Sequence, residues 1–357
     1  MKRSLLLAVL ALAVGAPVAA AQSYTKPPVV VADGLNNPRG MAFGPDASLY
    51  VAEAGTGGSN CIKGGPCVGS TGSIARIAPD GTFSRLATGL LSGAEKDGTF
   101  AVGADDVSVD ANGRIFTIIS SAGKQLPPGL TASQRRQSGR VLRIYTTGRY
   151  SPLGRVDQVE YLRNPDGDKG RPDSNPYSIA ATPGRQYVTD AAGNTLLEVR
   201  GQRVRLLRVF PDAAKGADSV PTVVRIGPDG ALYVAELSGE RAPNGKSRVW
   251  RISGSRRTVY ARGLSRITGM AFGPDGSLFV SEFSTNFAKQ SAKGRIVRIA
   301  RDGTRSIIGA AQLRWPAGIA VEPEGRLYVS NWSTLPGTAA TAGPFRDRKG
   351  QILRFDP

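Results

Sequence analysis

Apolar residues along this chain fall in short runs that recur. Six times an apolar stretch leads into a Pro/Asp/Gly turn and then into a second apolar stretch ending in Leu-Tyr-Val or a close variant. The first copy is Gly40-Met41-Ala42-Phe43-Gly44-Pro45-Asp46-Ala47-Ser48-Leu49-Tyr50-Val51, and the clearest are 227–234 and 273–280. The copy at 110–116 is degenerate, that at 182–187 is shortened, and the last reads Glu322-Pro323-Glu324-Gly325-Arg326-Leu327-Tyr328. Repetition of one unit marks an array architecture. Copies continue into a third stretch, such as 72–77, 139–144 and 294–299, and after another Asp-Gly turn into a fourth, as at 80–86. Four short antiparallel strands per unit make a propeller blade. The pattern predicts an all-β, six-bladed β-propeller.

The two ends of the array are complementary. The chain finishes on a third strand, Gln351-Ile352-Leu353-Arg354-Phe355, with no fourth, while Val29-Val30-Val31-Ala32-Asp33-Gly34-Leu35 is a fourth-type strand without a blade. Pairing them would close the ring and hide the edges that otherwise template aggregation. The first-to-second and third-to-fourth turns are short and share one face. The second-to-third loops and the crossings between blades share the other, and four of them are long and individual: 55–71, 122–138, 163–174 and 333–349. Length spent on one face marks where function is carried.

Comparing equivalent places among the six units separates scaffold from candidate site. Turn Asp and Gly residues recur for turn chemistry, and Arg76, Arg143, Arg251, Arg298 and Arg354 recur on the third strand as structural hydrogen bonders. The end of the second strand gives the column Glu53, Ile119, Asp190, Glu236, Glu282 and Asn331. Its acids either cap loop backbone, which their repetition favours, or hold a cation such as Ca²⁺, the one cofactor this chain suggests. The column entering the innermost strand varies: Arg39, Asp105, Tyr177, Thr222, Thr268 and Ala317. With neighbouring Asp106 and Asn175, these residues are the expected ligand-facing set at the channel mouth, the alternative being a plugged or water-filled channel. The stretch from Asn164 to Tyr177, with Asp166, Asp168 and Asp173, places oxygen ligands at alternate positions without the spacing of an EF-hand, and reads as a turn-rich connection. Asn331-Trp332-Ser333 is a sequon at chance level.

Composition narrows the setting. Met1-Lys2-Arg3, the apolar stretch from Leu5 to Val14 and Ala19-Ala20-Ala21 have the form of an export signal cleaved after Ala21, leaving 22–357 as one domain. No stretch reaches the ~20 apolar residues of a transmembrane helix, so the expected location is extracytoplasmic, periplasmic or secreted, and the expected state monomeric. Two cysteines, Cys61 and Cys67, would close a small disulfide loop in an oxidising compartment. The net charge of +18, to which Lys2 and Arg3 contribute two, favours anionic surfaces and ligands without naming one. Nucleic acid is not the expected partner, because no basic, aromatic-interleaved module is present. There is no histidine, which excludes Ser-His-Asp triads, His-liganded zinc and histidine bases.

Several phrases together resemble the ScyD/ScyE family of NHL-type propellers: Asn37-Pro38-Arg39-Gly40-Met41-Ala42-Phe43-Gly44-Pro45, Asp173-Ser174-Asn175-Pro176-Tyr177, Asp190-Ala191-Ala192-Gly193-Asn194, and Ser219-Val220-Pro221-Thr222 through Glu236-Leu237-Ser238-Gly239. The chain departs from that pattern after Gly239, at Glu240-Arg241-Ala242-Pro243-Asn244-Gly245. The resemblance implies export and an NHL-like ring. Three functional readings follow: a binding or accessory protein holding a small molecule, glycan or protein on the long-loop face; a calcium-dependent hydrolase similar to lactonase or strictosidine-synthase-like propellers, using Asp105, Asp106, Asn175, Glu236 and Glu282; and a basic module retained on the cell envelope.

Overall fold

The computed structural model describes residues 23–357 apart from 121–125, 169, 171, 290, 340, 342 and 344, so the expected leader lies outside the described residues. Strand β1 (Val29–Leu35) comes first and joins the last sheet. Blade one follows with β2 (Pro38–Phe43), β3 (Leu49–Glu53), β4 (Asn60–Cys61), β5 (Cys67–Ile77) and β6 (Phe83–Ala94). Blade two holds β7 (Ala104–Val109), β8 (Ile115–Ile119), β9 (Arg140–Ile144) and β10 (Tyr150–Arg155). Blade three holds β11 (Pro176–Thr182), β12 (Arg185–Asp190), β13 (Thr195–Arg200) and β14 (Arg203–Val209). Blade four runs through β15 (Pro221–Ile226), β16 (Leu232–Glu236), β17 (Ser247–Ser253) and β18 (Arg256–Leu264), and blade five through β19 (Ile267–Phe272), β20 (Leu278–Glu282), β21 (Arg295–Ile299) and β22 (Arg305–Ile308). Blade six contains β23 (Ile319–Val321), β24 (Leu327–Asn331) and β25 (Gly350–Phe355), completed on its outside by β1. The six antiparallel sheets are those the repeats predict.

Both faces of each sheet are buried, because every blade has two neighbours. Successive side chains on a strand point to opposite faces, and here they feed opposite seams. Leu278 and Val280 pack with Tyr233 and Val249 between blades four and five, whereas Phe279 packs with Ile319, Leu327 and Leu353 between blades five and six. This is why Leu-Tyr-Val runs unbroken in the sequence instead of alternating with polar residues. The turns are fixed as their residues require. Gly230 takes φ 74, and the Asp229 carboxylate accepts from the backbone N–H of Ala231 (3.2 Å) and from Arg251 Nε (2.6 Å). Arg76 reaches Asp46 and Arg298 reaches Asp275 in the same manner, so in blades one, four and five the third-strand arginine braces the turn of its own blade, whereas Arg354 pairs with Asp356.

Closure of the ring is direct. Val29 opposes Arg354, Val30 opposes Leu353 and Leu35 opposes Gly350, with Leu35 fully buried. Tyr24 adds a hydrogen bond from its hydroxyl to the Gly325 carbonyl at 2.7 Å and an edge contact on Phe279. Two features depart from the pattern. The loop after β3 folds back as β4, making blade one five-stranded, and the elaborated face carries two short helices, α1 (Ala132–Gln137) in the loop from β8 to β9 and α2 (Asp157–Arg163) in the crossing from blade two to blade three. A capping box between Thr131 and Gln134 starts α1. Left-handed Asn164 (φ 43) ends α2.

Candidate functional site

The innermost strands share a local irregularity. In blades one to five the pairing slips where the strand begins, for example between Ala104/Asp106, Pro176/Ser178, Pro221/Val223 and Ile267/Gly269. The residues carried in these bulges are Arg39, Asp105, Tyr177, Thr222 and Thr268, and a bulge re-aims the side chain it holds. All five, with Asp106 and Ala317, surround one space on the channel axis. Its volume is only ≈ 10 Å³, room for about one water.

Most polar groups here tie one blade to the next. Thr222 Oγ1 donates to the Ile267 carbonyl at 2.6 Å and Thr268 Oγ1 to the Pro316 carbonyl at 2.7 Å. Ser330 Oγ bonds the Arg39 carbonyl at 2.6 Å. Asp106 accepts from Ser178 Oγ (2.6 Å), the Ile179 N–H (3.1 Å) and Arg225 Nη1 (2.7 Å), so one buried carboxylate joins blades two, three and four. Arg225 escaped the sequence reading, although comparison of the six units contains its signal. The registers put it level with Ala42, Ser108, Ala180, Ala271 and Ala320, so it is the one long cation in a column of small residues.

Asp105 differs from its neighbour. Its side chain is fully buried 3.6 Å from Arg39, and neither carboxylate oxygen has a well-formed hydrogen bond, Ser120 and the Gly103 backbone approaching it only loosely. Burial pushes its carboxyl up to about 6, with Arg39 pulling it down by less. Burial also raises the Tyr177 phenol to about 12.

The acid column has another task. Glu53 accepts from the Asn36 N–H (2.8 Å), Ser73 Oγ (2.6 Å) and both Nε and Nη2 of Arg85 (2.8 Å each). Glu236 takes Arg248 Nε (2.8 Å) and Trp250 Nε1 (2.6 Å), Glu282 takes the Ser265 N–H (2.8 Å) and Arg295 Nε (2.6 Å), and Asp190 takes the N–H groups of Asn175 (2.7 Å) and Gly193 (3.1 Å) and Ser174 Oγ. Each carboxylate therefore caps backbone or neutralises an arginine within its own blade. The four do not share a centre, and among the described residues no three His, Cys, Asp or Glu side chains group to hold a metal. A common calcium centre built from Glu53, Asp190, Glu236 and Glu282 is corrected to a set of separate caps. Ile119 and Asn331 fill the remaining places, Asn331 accepting from the Arg314 N–H at 2.6 Å.

The elaborated face offers more room than the channel. Beside the mouth, the loop closed by the Cys61–Cys67 disulfide leans towards Ser174 and Asn175. Between them lies a cleft of ≈ 170 Å³, walled by Ile62, Pro66, Val68, Val102 and Leu126, with Ser120, Asp173, Ser174 and Asn175 as polar members. Asn175 Oδ1 is buried and accepts nothing, the one amide oxygen in this wall left open. Of the expected ligand-facing residues only Asn175 lines this cleft. Its apolar wall was not legible from the repeats, because loops 55–71 and 122–138 have no counterparts to be compared with.

Among the described residues no helix is long and apolar enough to cross a membrane. No protein-family model matches the sequence, and no curated protein matches it. Solved structures do. A glucose dehydrogenase is similar with a TM-score of 0.55 at 14% identity over 93% of this chain and 100% of that one. A gluconolactonase from Xanthomonas campestris gives 0.54 at 12% identity, covering 92% and 88%. A catalytically inactive histidine-to-alanine variant of virginiamycin B lyase from Staphylococcus aureus, solved with quinupristin, gives 0.51 at 15% identity, covering 93% and 99%. At these identities the likeness is one of fold, and the chain is a six-bladed propeller with enzymes among its structural neighbours.

Proposed function

We propose that the chain is an extracytoplasmic binding protein, exported as its ScyD/ScyE resemblance implies, holding a small organic ligand in the cleft between the disulfide loop and Ser174–Asn175. The observation that carries this reading is the cleft itself, with Ile62, Pro66, Val68, Val102 and Leu126 opposite the polar Ser120, Asp173, Ser174 and Asn175, the last of which keeps a buried, unpartnered Oδ1. A few convergent polar groups in an apolar concavity are the usual form of a ligand site, and a buried acceptor left open selects a partner that donates. The ligand would present a hydroxyl or N–H to Asn175 and an apolar body to Val102 and Leu126. At ≈ 170 Å³ the cleft is below the ~300 Å³ of drug-sized sites, so it suits a single ring or a side-chain-sized group. Absence of histidine supports binding over lyase chemistry, since the solved lyase was inactivated by replacing one. Ligand-observed NMR with a panel of monosaccharides and amino-acid amides tests the proposal. Val102→Trp should fill the cleft and abolish any hit, and hits that survive both it and Asn175→Leu would overturn the assignment.

A lactonase-like hydrolase is the second reading, favoured by the raised carboxyl of Asp105 beside the channel. Hydrolysis of glucono-lactone above the buffer rate, abolished by Asp105→Asn, would replace binding with catalysis.

A further inference from the structure

An arginine begins the third strand in several blades, and its partner decides what it does. In blade five, Glu282 at the end of β20 lies opposite Arg295 at the start of β21 and accepts from its Nε at 2.6 Å. In blade four, Ala235 opposes Val249, which puts Glu236 level with Arg248, and the carboxylate again takes Nε, at 2.8 Å. Blade two keeps the arginine and drops the acid. Ile118 opposes Val141, so the residue level with Arg140 is Ile119, fully buried and apolar. Among the described residues Arg140 forms no ion pair. Its Nη1 reaches only neutral oxygens, the Leu153 carbonyl at 2.7 Å and Gln202 Oε1 at 3.4 Å, and its Nε is buried without an acceptor.

This cation is not sealed in. It lines a pocket of ≈ 390 Å³ on the outer rim between blades two and three, with Arg155 from β10, Leu162 and Arg163 from α2, and Gln202 and Val204 from blade three. No acid lines the pocket among the described residues. Asp157, the carboxylate paired with Arg155, is fully buried and takes both its Nε (3.1 Å) and its Nη2 (2.8 Å). Burial, with the Arg155 charge nearby, holds the Arg140 guanidinium below its ordinary pKa, so what the position lacks is an opposite charge. The two sides of the pocket are tied together. Gly154 donates its N–H to the Gly201 carbonyl at 2.9 Å, and Gln202 Nε2 donates to the Pro152 carbonyl at 3.0 Å.

We propose that this pocket binds a small phosphorylated organic molecule, its phosphate held by Arg140 and Arg163 and its apolar body lying against Leu162 and Val204. Guanidinium forks match the paired oxygens of such a head. Three arginines against Asp157 leave two positive charges, which favours a doubly charged phosphate monoester over a carboxylate. Leu162 is 77% exposed and would be covered by the body of the ligand. The volume lies within the ~300–1,000 Å³ of organic-ligand sites. The pocket is separate from the cleft at Asn175 and stands whether or not that cleft is occupied.

Calorimetry and thermal melting with phenyl phosphate, benzoate and inorganic phosphate as probes test the site. One phenyl phosphate per chain is expected, bound several-fold more tightly than either other probe, with a Tm rise of a few degrees at saturation. Arg140→Gln and Arg163→Gln should each weaken binding by about tenfold. Arg140→Lys should recover only part of the loss, since a point charge lacks the fork. Arg163 is exposed and forms no ion pair among the described residues, so its variant should fold whatever becomes of Arg140. Arg149→Gln, which removes an exposed charge outside the pocket, and Val102→Trp, which fills the cleft, should leave binding unchanged. Absence of saturable phenyl phosphate binding, or equal weakening by Arg149→Gln and Arg163→Gln, would overturn the site. Inorganic phosphate or benzoate binding as tightly as phenyl phosphate would overturn the ligand class, the former meaning an adventitious ion only. Loss of binding in Val102→Trp would move the ligand to the cleft and overturn this pocket.

Discussion

Glu53 and Glu160 are both buried glutamates on the elaborated face, and they live in opposite surroundings. Glu53 ends β3, where a repeated blade position supplies four donors, two of them on Arg85. Glu160 lies on a helix that only one crossing possesses, with carboxylates around it. The repeated part of the ring has resolved its charges locally, blade by blade. The inserted part, whose loop mixes Asp166, Asp168 and Asp173 with Lys169 and Arg171, leaves the buried Glu160 Oε2 without a donor among the described residues.

That contrast can be broken at its scaffold end first. Arg85→Met should cost about 4 kcal/mol, since it strands a fully buried carboxylate and also releases the bond from Arg85 to the Gly34 carbonyl. Chemical denaturation measures it, and a loss below about 1 kcal/mol would mean Glu53 is not held as described. Gly193→Ala tests the corner at Glu160; the new methyl must turn the Glu160 carboxylate aside, which should cost about 1 kcal/mol. Glu53→Gln weakens charge-assisted bonds without leaving a void, for an expected loss of about 1.5 kcal/mol. The same change at Glu160 should lose nothing, and the sign of that difference is the comparison in one number.

Asp105 gives the subtlest check, through pH. Its folded carboxyl titrates near 6 against an ordinary 3.8, so the native state keeps the proton longer than the unfolded chain does. Its contribution is fully present below about pH 3.8 and is lost as pH rises through 6. The parent should therefore lose stability relative to Asp105→Asn across that window, by up to about 3 kcal/mol. Parallel melting curves from pH 4 to 7 would show that Arg39 offsets the burial of the Asp105 carboxylate in full.

The ring was legible because its information is repeated. Gly227–Val234 and Gly273–Val280 restate one turn and one strand, and the orphan strand at Val29 has only one place to go. The bulged column was legible as a column, since Arg39, Asp105, Tyr177, Thr222 and Thr268 do meet on the axis. What residue type could not tell is how tightly they meet, a matter of close packing that leaves space for one water. The acids at Glu53, Glu236 and Glu282 look the same in sequence whether they face an ion or an arginine, and only the position of Arg85, Arg248 and Arg295 on the adjacent strands decides. Helices α1 and α2 were hidden because six- and seven-residue helices carry too little periodicity to register.

The manner in which the two chain ends meet has a mechanical consequence. Because Val29 lies opposite Arg354, both ends leave the last sheet at the same corner. Tension applied between them would load the rungs of this ladder singly, like a zipper, and not all together in shear. A chain tethered by one end alone would keep its ring shut under drag, while one tethered at both would be prised apart at its seam.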